Sequence, residues 1–106
     1  MAFDFNTFQR GQAFTKVGRL MYRVIPRIEC ADGFTFSVQA SETHYCSPRA
    51  NGCHEYETVE VGFPSERVEA LMPYMDDDDS DPTQTVYGGV PVSVVNAIVA
   101  EHGGPK

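Results

Sequence analysis

Apolar residues recur at every second position through Phe34, Phe36 and Val38, and Ile28 and Cys30 show the same spacing just upstream. Between the two runs sits Asp32-Gly33, a pair suited to the positive φ of a tight turn. The segment 27–40 is therefore predicted to be a β-hairpin, with Ile28 and Cys30 sharing a buried face with Phe34, Phe36 and Val38. Upstream, Leu20, Tyr22 and Val24 alternate with Met21 and Arg23 until Pro26 interrupts, the pattern of an edge strand or a bulge. Residues 1–15 are less regular. Phe3 and Phe5 have strand spacing, while Phe5 and Phe8 have helical spacing. Both readings leave a Phe-rich arm that packs through its aromatic rings, in cis or across a dimer.

Downstream, residues 41–53 are rich in Ser, Asn, Gly and Pro and read as a loop. A strand is expected over 54–63, with Val59, Val61 and Phe63 pointing one way and Glu60 the other; Gly62 weakens it and Pro64 ends it. Ser65 is placed to cap a short helix over 66–74, with Val68, Leu71 and Met72 as its apolar stripe and Pro73 limiting its length. The run at 76–82 reads as a charged, solvated and flexible linker, because neighbouring like charges repel. Thr85-Val86-Tyr87 forms a further short strand, broken by Gly88-Gly89. Pro91 occupies the first position of a last helix over 92–102, with Val92, Val95, Ile98 and Val99 toward the core and Gly103-Gly104-Pro105 closing it. The fold class that follows is α+β: one domain, 1–106, with a small antiparallel β-sheet of three to five strands and two short helices packed on it.

The length of 106 residues fits that single domain. No apolar run approaches the roughly 20 residues of a membrane span, and the start lacks the charged-then-apolar order of a signal peptide. Cys30, Cys46 and Cys53 are odd in number, which reads as free thiols in a reducing cytoplasm.

Charge is unevenly distributed along the chain. Residues 1–50 carry six basic and four acidic side chains, a net of +2; residues 51–106 carry two basic and eleven acidic ones, a net of −9. An overall net charge of −7 argues against direct binding to nucleic acid, whose phosphates need a basic footprint. The acidic half instead suits a basic protein groove of the kind that holds nucleic acid. Asp76, Asp77, Asp78, Asp79 and Asp81, with Glu66 and Glu69, are the candidate partner-binding residues, spaced as a mimic of phosphates.

Other chemistries are weaker. His44, Cys46, Cys53 and His54 offer zinc-type ligands, with Cys30 in reserve, yet their spacing is not that of a zinc module, and neither a metal nor another cofactor is expected. Cys46 between His44 and Arg49 has the neighbours of an activated thiol but no third, orienting group. Asp77, Asp79 and Asp81 begin a calcium-loop pattern that fails where Pro82 replaces the required Gly and Gly88 the required Glu. The alternative to an acidic surface is a small-ligand or catalytic pocket around His44, Tyr45, Cys46, Arg49 and Tyr87, with Arg49 organising the pocket or clamping a carboxylate such as Glu60.

The strings SVQAS, HYCSPR, VEVGFPS, LMPY, TVYGGVPV and HGG occur in that order across residues 37–104. In this respect the chain resembles a family of small proteins encoded by tailed phages and prophages. The shared pattern includes Cys46 but does not depend on Cys53 and His54. The resemblance implies the cytoplasm of a bacterial host and an accessory role outside the virion. By analogy with phage genes of this size, it implies inhibition of a host or bacterial defence protein, as an anti-CRISPR does. The expected function is thus a non-enzymatic inhibitor acting through its acidic surface.

Overall fold

The computed structural model describes residues 3–76 and 80–106. Its centre is a four-stranded antiparallel meander, β3 (Ile28–Glu29), β4 (Thr35–Gln39), β5 (Thr58–Gly62) and β6 (Val86–Pro91), in that spatial order. The expected hairpin is its first pair. Ile28 lies opposite Phe36, and Gly33 takes φ 96° in the turn. Alternation along β4 buries Phe36 and Val38. Val38, Val61 and Tyr87 then form one cross-strand row over three strands, all fully buried. The class is α+β, as the chain pattern requires.

Three helical segments accompany this sheet among the described residues: α1 (Phe5–Arg10), a 3₁₀ helix (Glu69–Tyr74) and α2 (Val92–Glu101). The stripe Val95, Ile98 and Val99 of α2 joins the core, with Val92 partly buried at its edge. Of the two alternatives for the Phe-rich arm, the structure has the helix. Asp4 caps it by accepting from the Thr7 N–H at 3.1 Å, and Phe5 is fully buried. Asn6 fixes it further, donating to the Tyr56 carbonyl at 3.0 Å and accepting from the Tyr56 N–H at 2.8 Å. A separate ribbon, β1 (Phe14–Val17) and β2 (Leu20–Arg23), stands apart from the four-stranded sheet, with Gly18 at φ 61° in its turn.

Four local expectations are corrected. The strand expected over 54–63 spans only Thr58–Gly62, and Phe63 does not continue its apolar face: at φ 49° it leaves the extended region and is exposed. Ser65 caps no helix; its Oγ accepts from the Thr35 N–H at 3.0 Å. The helix expected over 66–74 is instead a 3₁₀ turn beginning at Glu69, without a side-chain cap and with Pro73 inside it. Pro removes a donor and hinders a regular α-helix, which explains the tighter, shorter form. Gly88-Gly89 does not break the last strand. β6 runs through both glycines as an irregularity, with Val59 opposite Val90 but Val61 opposite Tyr87. The extra residue lets Tyr87 and Val90, three positions apart, both point inward, and Gly89 takes φ 64° there.

Candidate functional site

The loop 41–53 is held against the sheet by short contacts. Ser47 bridges Thr58 through backbone and side chain, its Oγ lying 2.9 Å from Thr58 Oγ1. Glu60, on the half-buried side of β5, accepts from the Tyr45 N–H at 2.9 Å. Tyr45 in turn accepts from the Gly89 N–H at 3.1 Å. These bonds tie the loop to β5 and β6 and leave between them a solvent-open cavity of about 670 Å³ lined by Tyr45, Cys46, Arg49, Thr58, Asp76, Gly88 and Gly89.

Three of the five residues expected in a pocket therefore meet. The other two are elsewhere, and this corrects the expectation. His44 places Nδ1 2.6 Å from Ser41 Oγ and lines a different, apolar cleft of about 260 Å³ beneath the ribbon. Tyr87 is fully buried and donates its hydroxyl to the Pro82 carbonyl at 2.5 Å. Alternation along the bulged strand turns Tyr87 into the core while its glycine neighbours face the cavity. Thr58, Gly88 and Gly89 were not legible as site residues, and Asp76 stood out for partner binding and not for this cavity, since these residues come from segments far from the loop in sequence. The only local hint was the bare Gly-Gly pair.

Arg49 does not clamp Glu60. Its Nε donates to the Glu42 carbonyl at 3.1 Å, and its guanidinium lies over the Tyr45 ring, 5.2 Å from the centroid. Burial pushes the Cys46 thiol above its ordinary value, helped by nearby Cys53 and Glu60 and opposed by its bond to Ser41 and by Arg49. Cys46 Sγ donates to the Ser41 carbonyl at 3.2 Å. A thiol held protonated in this way is a poor nucleophile at neutral pH. Cys30 is fully buried, and burial raises its thiol as well, with Asp32 adding to the effect. No group of three or more His, Cys, Asp or Glu side chains able to hold a metal occurs among the described residues.

The candidate partner-binding acids do not form one described cluster. Asp77, Asp78 and Asp79 lie outside the described residues. Asp76 lines the cavity, and its N–H donates to the Val86 carbonyl at 3.3 Å. Asp81 closes a turn, accepting from the Thr83 N–H at 2.9 Å and hydroxyl at 2.8 Å; these bonds hold its carboxyl below the usual range. Both described ends of the expected 76–82 linker are thus hydrogen-bonded. Glu69 pairs with Arg67 at 2.7 Å, and Glu66 lies 3.9 Å from His102 Nε2.

The basic side chains are directed elsewhere. Arg10 donates to the His54 carbonyl at 2.8 Å and Arg23 to the Cys53 carbonyl at 3.0 Å. Arg27 reaches the carbonyls of Thr35 and Phe63. Arg67–Glu69 is the one arginine–carboxylate pair among the described residues, and both partners are exposed. Glu55, Glu57, Asp76, Asp81 and Glu101 are exposed without an arginine or lysine partner among those residues. No helix of the described residues is long and apolar enough to cross a membrane.

Comparison of the chain with protein-family models, with curated proteins and with solved structures returns no match.

Proposed function

We propose that this chain is a non-enzymatic binding protein whose acidic half occupies a basic, nucleic-acid-binding groove on another protein. In the setting its phage-protein resemblance implies, it acts in the bacterial cytoplasm as an inhibitor of a host or defence protein, in the manner of an anti-CRISPR. The observation that carries this is the placement of charge. Arg10, Arg23, Arg27 and Arg49 donate to backbone carbonyls and form no ion pair with the described acids of residues 51–106, a half whose net charge is −9. Arg67–Glu69, the one arginine–carboxylate pair among the described residues, is exposed, and exposed pairs contribute only about 0–1 kcal/mol. Carboxylates left without internal partners attract a basic surface and speed its association.

The test replaces Asp76 to Asp79 with Ser and measures capture of a partner from host lysate. Loss of capture with the fold intact supports the proposal, and unchanged capture overturns it. A second function is favoured by one observation, the cavity at Tyr45, Cys46, Arg49 and Asp76. If that cavity takes a small ligand, Arg49→Ala removes binding while replacement of Asp77, Asp78 and Asp79 with Ser leaves it unchanged. The raised Cys46 thiol supports binding rather than covalent catalysis there.

A further inference from the structure

We infer that the cavity between the 41–53 loop and strands β5 and β6 takes a small zwitterion, its carboxylate on Arg49 and its ammonium on Asp76. The inference rests on the small-ligand reading of that cavity. Its volume of about 670 Å³ is that of a small-molecule site. Arg49 and Asp76 both line it, yet they form no ion pair with each other. The Arg49 guanidinium is anchored through Nε on the Glu42 carbonyl and by the Tyr45 ring beneath it. Its two terminal nitrogens make no hydrogen bond among the described residues, and together they match the two oxygens of a carboxylate.

Asp76 is anchored through its backbone, whose N–H donates to the Val86 carbonyl beside the Met75–Tyr87 bridge. Its carboxylate accepts no hydrogen bond among the described residues. Tyr45 is the neighbour that both charges share: a Cβ on Gly88 would stand 3.0 Å from Tyr45 Cβ and 3.3 Å from Asp76 Oδ1. At Gly89 an added Cβ would meet no atom within 4 Å, so the wall there is bare backbone. A simple anion fits less well, because Asp76 repels it and the other polar groups are engaged. The Thr58 hydroxyl is bonded to Ser47, and the Gly89 N–H to the Tyr45 carbonyl. A simple cation is repelled by Arg49. A molecule that carries both charges pairs with each wall, and two sources supply it: free α-amino acids and short peptides with open ends.

The test follows amide NMR shifts of the full chain on titration with L-alanyl-L-alanine, its N-acetyl form, its C-terminal amide, and free L-alanine. At least one of the two zwitterions is expected to give saturable shifts at Tyr45, Asp76, Gly88 and Gly89. Both groups are exposed, so affinity of roughly millimolar order is expected. Each end-blocked form is expected to bind roughly tenfold more weakly or not at all, because one charge then goes unpaired. Arg49→Gln and Asp76→Asn are expected to weaken the zwitterion by a similar factor. Glu101→Gln, which changes net charge as Asp76→Asn does but lies outside the cavity lining, is expected to leave binding unchanged. Tighter binding of the dipeptide supports the inference and assigns the site to peptide ends; tighter binding of alanine supports it and assigns a free amino acid. End-blocked forms that bind at these residues as well as the zwitterions overturn the inference while the cavity stands as a small-ligand site. Saturable shifts that fall elsewhere and are indifferent to Arg49→Gln overturn both. No saturable shift with either zwitterion overturns the inference. The end-blocked peptides decide the matter on the wild-type chain, whatever the variants do to the fold.

Discussion

At the scale of single residues, the contacts that can be tested most sharply surround Asp32. Its carboxyl accepts from the Phe34 N–H at 2.9 Å and lies 2.7 Å from His102 Nδ1, and these two interactions, in that order, hold it below the usual carboxylate range. His102 also stacks on Phe34, with ring centroids 4.1 Å apart. A carboxyl that binds its proton less tightly in the folded chain than in the unfolded one stabilises the fold at and above the ordinary carboxylate pKa. That contribution is lost as pH falls through the lowered folded value. Asp32→Asn is therefore expected to reduce stability at neutral pH and to converge with the wild type in acid, as read by denaturant unfolding across pH. Tyr87 gives a contrasting case. Because its hydroxyl serves the Pro82 carbonyl rather than the cavity, Tyr87→Phe is expected to cost about 1–2 kcal/mol of stability and to leave ligand or partner binding unchanged.

At the scale of elements, helix α1 is the clearest dependency. Six residues are too few for a helix to persist alone, so packing and hydrogen bonds must hold it. Asn6 makes reciprocal bonds to the Tyr56 backbone, and Gln9, almost fully buried, donates to the Cys53 and His54 carbonyls. Asn6→Ala is expected to destabilise the domain by about 2 kcal/mol and to raise amide exchange throughout α1, since it strands a backbone N–H and a carbonyl together. The bulge in β6 makes a second prediction. A Cβ on Gly88 would stand 3.0 Å from Tyr45 Cβ and 3.3 Å from Asp76 Oδ1, both in the cavity wall. Gly88→Ala is expected to push the 41–53 loop outward and to change exchange at Tyr45 and Asp76 before it lowers the melting temperature.

The same elements show what could be read from the chain alone. The hairpin was legible because alternation and the Asp32-Gly33 turn are local signals that agree. The last helix was legible because Val95, Ile98 and Val99 keep helical spacing and glycines follow. The strand through Gly88-Gly89 was not, since its inward residues Tyr87 and Val90 break the two-residue period and only the bulge restores it. The 3₁₀ turn was misread because Ser65 looks like a cap while its hydroxyl serves Thr35. For the site, the loop residues Tyr45, Cys46 and Arg49 could be singled out by type. Their partners Thr58, Asp76 and Gly89 could not, because nothing in a sequence pairs residues across such separations.

At the scale of the whole molecule, the governing feature is separation of charge. An acid-free basic stretch builds α1 and the ribbon, and an acidic half follows it, with internal arginines directed at carbonyls instead of carboxylates. Replacing Asp76 to Asp79 with Ser removes four of the eleven acids of that half and is expected to shift the melting temperature little, because the side chains that build the core are elsewhere.

The most direct measurement is partner capture from host lysate across a salt series, with duplex DNA as competitor. The wild type should retain a nucleic-acid-binding protein at low salt, release it as ionic strength rises or as DNA is added, and lose it on replacement of Asp76 to Asp79. Capture that withstands high salt and Ser at Asp77, Asp78 and Asp79, yet disappears in Arg49→Ala, would contradict an electrostatic role and place recognition in the Tyr45–Arg49 cavity.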